Sequence, residues 1–325
     1  MDLEAGASTE TRGQQGGAAE QVRTREEEPV RREERPLSFS IVIPCRDEGG
    51  LLKATLDSIA RTEGARFTVT VVDDGSTDES CAFLQEDSYR WVTLLRGEGK
   101  GPARARNLGA AALEGDVVVF CDAHVSVPPD WLARFEAHFR DAGVAALSPA
   151  IAAAGEGFRR VGYGLTWDSD LESRWLSRPE TDLSEVPLLP SGCLAIRRQV
   201  FHDAEGFNRG FRGYGSEDVE LSLRLWLFGH RLYCARDVLV DHRFRERQPY
   251  LVSLGEVYHN LIRMALTHFN EERIARCLYR ISRRIDPTRL IAHAICDGTT
   301  EDRRRWQERR IYSDDWFMRR FSIDL

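Results

Sequence analysis

FSIVIPCRDEGGLLKATLDSIARTEGARFTVTVVDDGSTD, residues 39–78, decides the fold class. Its apolar runs FSIVIP (39–44) and FTVTVVD (67–73) are nearly continuous rather than alternating. That is the pattern of strands covered on both faces of a parallel sheet. Between them, 48–62 carries its apolar residues at helical spacing. The unit repeats downstream: a helical pattern at 77–86, WVTLL (91–95), a helix at 102–114, DVVVFCD (116–122) and a helix at 130–140. Strand and helix alternating in this way predict βαβ units, hence an α/β fold with a mainly parallel central sheet flanked by helices. Past Val144 the pattern loosens. A strand at 191–197, a helix at 216–228 and strands at 231–235 and 238–242 follow, and from about 250 the pattern is helical.

Composition narrows the function classes. The 325 residues are 42% hydrophobic and 30% charged, which excludes a fibre or a wholly disordered chain. A net charge of -7 argues against an electrostatic nucleic-acid binder. No apolar run approaches the roughly 20 residues that span a bilayer. The start, MDLEAGASTETRGQQGG, lacks the apolar core of a signal peptide. Seven cysteines stand singly, without CxxC spacing, so neither a disulfide framework nor a zinc ribbon is expected. The chain reads as a soluble, cytoplasmic protein. Residues 1–36, rich in Glu, Arg, Gly, Gln and Thr, are predicted to be a disordered tail. The α/β domain is expected over 37–250, with 251–325 a helical extension packed on it.

Open parallel sheets hold ligands at the carboxyl ends of their strands, and here those ends are polar. In Asp122-Ala123-His124, residues i and i+2 of an extended strand end share a side. A mixed oxygen and nitrogen pair suits Mn²⁺ better than Ca²⁺, given a third ligand from elsewhere; a solvated turn is the plain alternative. Asp73-Asp74-Gly75-Ser76-Thr77 offers carboxylates to a nucleobase or ribose, with Ser76 or Thr77 expected to cap the next helix. Gly99 to Gly109, with Arg104 and Arg106, opens a helix that suits an anion, though it is not a P-loop. Ser216 is the expected N-cap of the helix opening with Glu217 and Asp218. Acidic residues there suit the helix dipole, and a carboxylate over a cleft can serve as general base on a hydroxyl.

Taken together, FSIVIPCRDEGGLLKATLDSI, VVDDGSTD, ARARNLGAAALEGDVVVFCDAH, LPSGCLAIRR and SEDVELSLRLWLFGH resemble, in order and spacing, the GT-A glycosyltransferases of the large, mostly inverting family that includes cellulose and chitin synthases. The resemblance covers about 38–250. Other features are similar to the polypeptide N-acetylgalactosaminyltransferases: Asp122 and His124 match their Asp-x-His, and DHRFRERQPY (241–250) matches their His-x-Phe-Arg segment. The resemblance implies a metal-dependent transferase using a UDP-sugar, with Mn²⁺ or Mg²⁺ held by Asp122, His124 and His242. It implies donor contacts from Pro44, Arg46, Asp47, Asp73 or Asp74, Arg104 or Arg106, Asp122, Ser191, Gly192, Tyr214 and Arg245, with Glu217 facing the sugar.

Two departures matter. The Trp-Gly-Gly-Glu-Asn motif of the polypeptide enzymes is here Tyr214-Gly215-Ser216-Glu217-Asp218. Asp218 replaces the Asn, as in the inverting family, where that Asp is the catalytic base; this implies inversion, with retention as the alternative. The chain also ends about 75 residues after Tyr250, without the lectin domain of those enzymes. An inactive sugar-nucleotide-binding scaffold and a nucleotidyltransferase are the competing classes, and the latter lacks its loop after the first strand. The expected acceptor is a soluble peptide or protein side chain or a small metabolite, with Trp167, Asp168 and Trp175 as groove candidates. The arginines at 303–310 suit a solvated face, an acidic peptide or peripheral contact with an anionic lipid surface. His138, His259 and His268 read as structural.

Overall fold

The computed structural model describes residues 35–111, 113–154, 160–245 and 247–325; the expected tail at 1–36 lies almost wholly outside them. Pro36–Leu325 forms one compact unit. Its first half follows the alternation of apolar runs: β1 (Ser38–Cys45), α1 (Leu51–Ile59), β2 (Arg66–Asp73), β3 (Val92–Arg96), α2 (Pro102–Ala110), β4 (Val117–Cys121), β5 (Val125–Ser126) and α3 (Trp131–Phe139). Then come β6 (Val144–Ala153), β7 (Val161–Gly162), the hairpin β8 (Leu165–Trp167) and β9 (Ser173–Trp175), β10 (Leu183–Glu185), β11 (Cys193–Arg197) and α4 (Arg198–Asp203). The rest is α5 (Glu217–Leu227), β12 (Arg231–His242), α6 (Leu254–His268), α7 (Glu271–Ser282), α8 (Thr288–Ala294), α9 (Thr300–Arg309) and α10 (Asp314–Arg320).

The main sheet runs β10-β12-β6-β11-β4-β1-β2-β3. Strands β4, β1, β2 and β3 are parallel, β6 and β12 are parallel, and β11 joins the two sets antiparallel to both neighbours. Alternate side chains serve two cores. Ile41 and Ile43 of β1 pack with α1 and α3 residues such as Leu56 and Phe135, while Val42 joins the opposite core with Ala105 of α2 and Leu221 of α5. That two-sided burial is why the runs are continuously apolar.

Three expectations change. The predicted helix at 77–86 is replaced by short 3₁₀ turns at Ala82–Gln85 and Asp87–Tyr89. Side chains take the amides a helix would need: Asp47 Oδ1 accepts from the N–H of Thr77 and Asp78, and Asp78 Oδ1 from that of Ser80. The two predicted strands after α5 are one strand, β12, whose pairing with β6 shifts between Ala235 and Leu239. Ser216 does not cap α5: its φ is +66° and its side chain makes no cap bond.

Helix α5 is tied to α6 by a buried polar cluster. Glu220 Oε1 accepts from Arg224 Nε at 3.0 Å and from His268 Nε2 at 2.7 Å, and Arg224 Nη2 donates to Gly206 O at 2.7 Å. Burial would raise Glu220, yet the Arg224 charge and His268 bond pull it down to about 2. Burial lowers His268 despite ionised Glu220. Both shifts act in one direction. His268 stays neutral in the fold while the unfolded chain protonates below about 6.5, and Glu220 stays ionised below the unfolded value of about 4.5. Stability is therefore expected to fall as pH drops through roughly 6.5 and to keep falling toward 2. Urea midpoints at neutral and acidic pH check this, and a flat profile contradicts it. Glu220→Gln, which strands the Arg224 guanidinium, is expected to cost about 3–5 kcal/mol at neutral pH.

Candidate active site

The carboxyl ends of β1, β2 and β4, the start of α5, the end of β12 and the first turn of α6 enclose a cleft of about 980 Å³. Polar residues collect there because a strand that is apolar on both faces can change character only where it leaves the sheet.

Asp122 follows β4, and His124 lies two residues on. β12 brings His242 beside them from 120 residues away, since its last residues pair with β5. One ligand atom from each of these three residues lies within 4.8 Å of the other two. His242 Nε2 is 3.2 Å from Asp122 Oδ2, and His124 Nε2 is 3.9 Å from the same oxygen. Glu48, just past β1, sits 3.2 Å from His124 Nδ1, which leaves Nε2 turned to Asp122. Gly192 completes the cradle: a Cβ there would lie 2.9 Å from His242 Cδ2. One carboxylate and two imidazoles, that of His124 oriented through Nδ1 by Glu48, fit a borderline divalent cation such as Mn²⁺.

Arg106, buried in α2, spans the site. It donates to Asp122 Oδ1 and to Glu217 Oε1, both at 2.9 Å. Burial alone would raise Asp122, but the His242 hydrogen bond and the Arg106 charge hold its carboxyl far below the usual range. Glu217 goes the other way: burial raises it, with Asp218 adding to the effect against Arg106. Asp218 faces the turn before β11, its Oδ2 accepting from Ser191 N at 3.0 Å and Ser191 Oγ at 3.2 Å. Ser216, the left-handed residue before them, holds the turn at some conformational cost.

Pro44, Arg46, Asp74, Arg104, Asp122, His124, Ser191, Gly192, Tyr214, Glu217, Asp218, His242 and Arg245 all line the cleft. Asp47 and Asp73 are not among the lining residues. Asp47 holds the 77–78 turn, and Asp73 accepts from Ser76 N at 2.8 Å while pairing with Arg96. Asp74 reaches the cleft edge but is engaged by the N–H groups of Gly99, Lys100 and Gly101 at 2.7–3.2 Å. Of the groove candidates, Trp175 lines the cleft, Trp167 is buried, and Asp168 pairs with Arg174. Sequence reasoning left Glu48, Tyr250 and Glu256 unassigned. Glu48 pairs with Arg245, and Tyr250 lies under Arg46, whose guanidinium is 5.1 Å from the ring centroid. Burial pushes the Tyr250 phenol up to about 12. The thiols of Cys45, hydrogen-bonded to Cys81, and of buried Cys193 are pushed up, so neither is primed as a nucleophile. Among the described residues no helix is long and apolar enough to cross a membrane.

Residues 40–204 match glycosyl transferase family 2, and residues 184–243 match the N-terminal domain of galactosyltransferase. The pre-mycofactocin glycosyltransferase of Mycobacterium tuberculosis (strain ATCC 25618 / H37Rv) is 33% identical over 210 residues, spanning 63% of this chain and 43% of that protein. Polypeptide N-acetylgalactosaminyltransferase 10 of Mus musculus is 27% identical over 310 residues, spanning 88% of this chain and 50% of its own length. The chain thus spans about half the length of the curated relatives it matches. The crystal structure of GalNAc-T7 with UDP, GalNAc and Mn²⁺ superposes with a TM-score of 0.69 at 22% identity, covering 88% of this chain and 57% of that one. That likeness establishes a GT-A fold. With the family match running over just over half of its residues and across β1, β2 and β4, whose ends build the cleft, the chain belongs to glycosyl transferase family 2.

Proposed function

We propose that residues 37–250 act as a GT-A transferase domain moving a sugar from a UDP-sugar to an acceptor, with 251–325 as a helical extension. The observation that carries this reading is the meeting of Asp122, His124 and His242 in the cleft, with Arg106 and Arg245 beside them. These three residues would hold Mn²⁺, or Mg²⁺, which would supply Lewis-acid neutralisation of charge on the departing UDP. The relative crystallised with UDP and Mn²⁺ supports that choice.

The chain's own residues do the rest. Arg245, steadied by Glu48, offers its guanidinium to the diphosphate. Pro44, Arg46, Asp74 and Arg104 form the end that takes the uridine, with Asp47 and Asp73 acting through the loops they hold. Ser191, Gly192, Tyr214 and Glu217 surround the sugar. Asp218 takes the proton from the acceptor hydroxyl, favouring in-line attack and inversion. The names of the two relatives point to different acceptors, polypeptide and pre-mycofactocin. A soluble peptide or protein side chain, or a small molecule, in the cytoplasm is the acceptor class we assign.

The test avoids the acceptor. UDP release is followed from a panel of UDP-sugars with Mn²⁺, with EDTA, and with His242→Ala. Slow hydrolysis of one donor, lost with EDTA and in the variant, is the expected result. Absence of UDP binding in a calorimetric titration with Mn²⁺ overturns the reading.

A further inference from the structure

The loop entering the cleft before α5, residues 207–216, carries Tyr214 and leads into Glu217 and Asp218. Its first residues are held by α2 and its later ones by α6. Asn260, fully buried on α6, makes three bonds to it. Its Oδ1 accepts from Arg212 N at 2.8 Å, and its Nδ2 donates to Arg212 O at 2.8 Å and to Gly215 O at 3.0 Å. One turn on, Arg263 donates to Asn208 Oδ1 at 2.9 Å and lies flat over Gly210, where a Cβ would come within 2.1 Å of Cζ. Arg263 is itself tied to Asp297 O, Thr299 and Asp302, and Arg212 pairs with Asp297. The loop is therefore pinned at its start by Asn107 and Arg104 of α2, which bond Phe207 and Arg209, while the stretch that runs into Tyr214, Arg212–Gly215, is held by hydrogen bonds from the carboxyl-terminal part of the chain.

We infer that Asn260 is a positioning residue: by clamping both sides of the Arg212–Gly215 backbone it sets Tyr214, Glu217 and Asp218 against the sugar, without touching the nucleotide end. This rests on the transferase reading above. An amide suits the task because it supplies an acceptor and two donors in one plane, matching one N–H and two carbonyls. Their burial makes each loss felt in full. Among the described residues, no other hydrogen bond from α6 reaches Gly215.

Asn260→Ala is compared with Met264→Ala, a buried residue one turn along α6 that makes no bond to the loop. Two readouts are taken: amide hydrogen exchange over 208–218, and turnover alongside UDP·Mn²⁺ binding stoichiometry. In Asn260→Ala, exchange at 212–216 is expected to rise while the middle of α6 stays protected. Turnover is expected to fall about 10²-fold, the scale of a misplacement near 1 Å, with UDP stoichiometry unchanged. Met264→Ala lowers the melting temperature but keeps turnover per bound UDP. Unchanged exchange at 212–216, turnover matching wild type, or turnover falling only in step with UDP stoichiometry each overturns the inference. Should Asn260→Ala not fold, Asn260→Asp, which keeps shape and the Arg212 N–H acceptor but loses both donors, carries the same expectation. A wild type that binds no UDP with Mn²⁺ would sink the transferase reading, and the exchange data then decide the clamp alone.

Discussion

Asp218→Asn is expected to lower turnover by about 10²–10⁴-fold, the usual worth of a general base, while leaving UDP·Mn²⁺ binding intact. The amide keeps an oxygen to accept from Ser191 N and Oγ, as Oδ2 does now, and gives up only the acceptor that Oδ1 offers to the neighbouring Val219 N–H. The start of α5 is therefore expected to stay in place, and the lost quantity is basicity. In the proposed arrangement Asp218 faces the sugar while Pro44, Arg46 and Asp74 take the uridine, so nucleotide affinity is expected to stay unchanged. Rates and UDP affinity measured on one preparation separate the two effects. Turnover within a few-fold of wild type contradicts the base assignment and favours retention. The anomeric configuration of the product then decides between the two routes.

Arg106→Met is expected to be the most destabilising single change in the cleft, at about 3–5 kcal/mol. The guanidinium is buried between two carboxylates, Asp122 and Glu217, and removing it leaves both without their shared cation. Arg106→Lys is no substitute, because a single ammonium cannot bond both oxygens in the fixed fork geometry. A double-mutant cycle gives the check. Removing charge at Glu217 as well, in Arg106→Met with Glu217→Gln, is expected to recover part of the loss, so the two changes couple by more than about 1 kcal/mol. Additive losses in urea denaturation would show that Arg106 packs rather than neutralises.

These sites differ in how much of them could be read from the chain. The parallel strands were legible because burial on both faces leaves a continuous apolar run, and their polar ends marked the cleft. Asp122 and His124 were legible as a polar pair just past β4, although residues 123–124 form a turn there rather than the extended strand end the spacing argument assumed. His242 and Arg245 came through resemblance, since no local rule links them to a site 120 residues away. The expected helix at 77–86 and the Ser216 cap failed for one reason: both rested on local propensity. The backbone N–H groups there are claimed by Asp47 from another loop, and the conformation at Ser216 belongs to a turn clamped from α6.

Local patterning therefore marked β1 to β4, β11 and β12 as strands and where their chemistry-bearing ends lie, but not β6 at Val144–Ala153, which lies between β12 and β11 in the sheet. Tertiary structure alone decided which charge meets which. Arg106 lies between Asp122 and Glu217, Glu48 between His124 and Arg245, and Asn260 holds the loop before Asp218. Periodicity reports how a residue relates to its neighbours in the chain, whereas pairing of buried charges and amides depends on which segments the sheet order brings together.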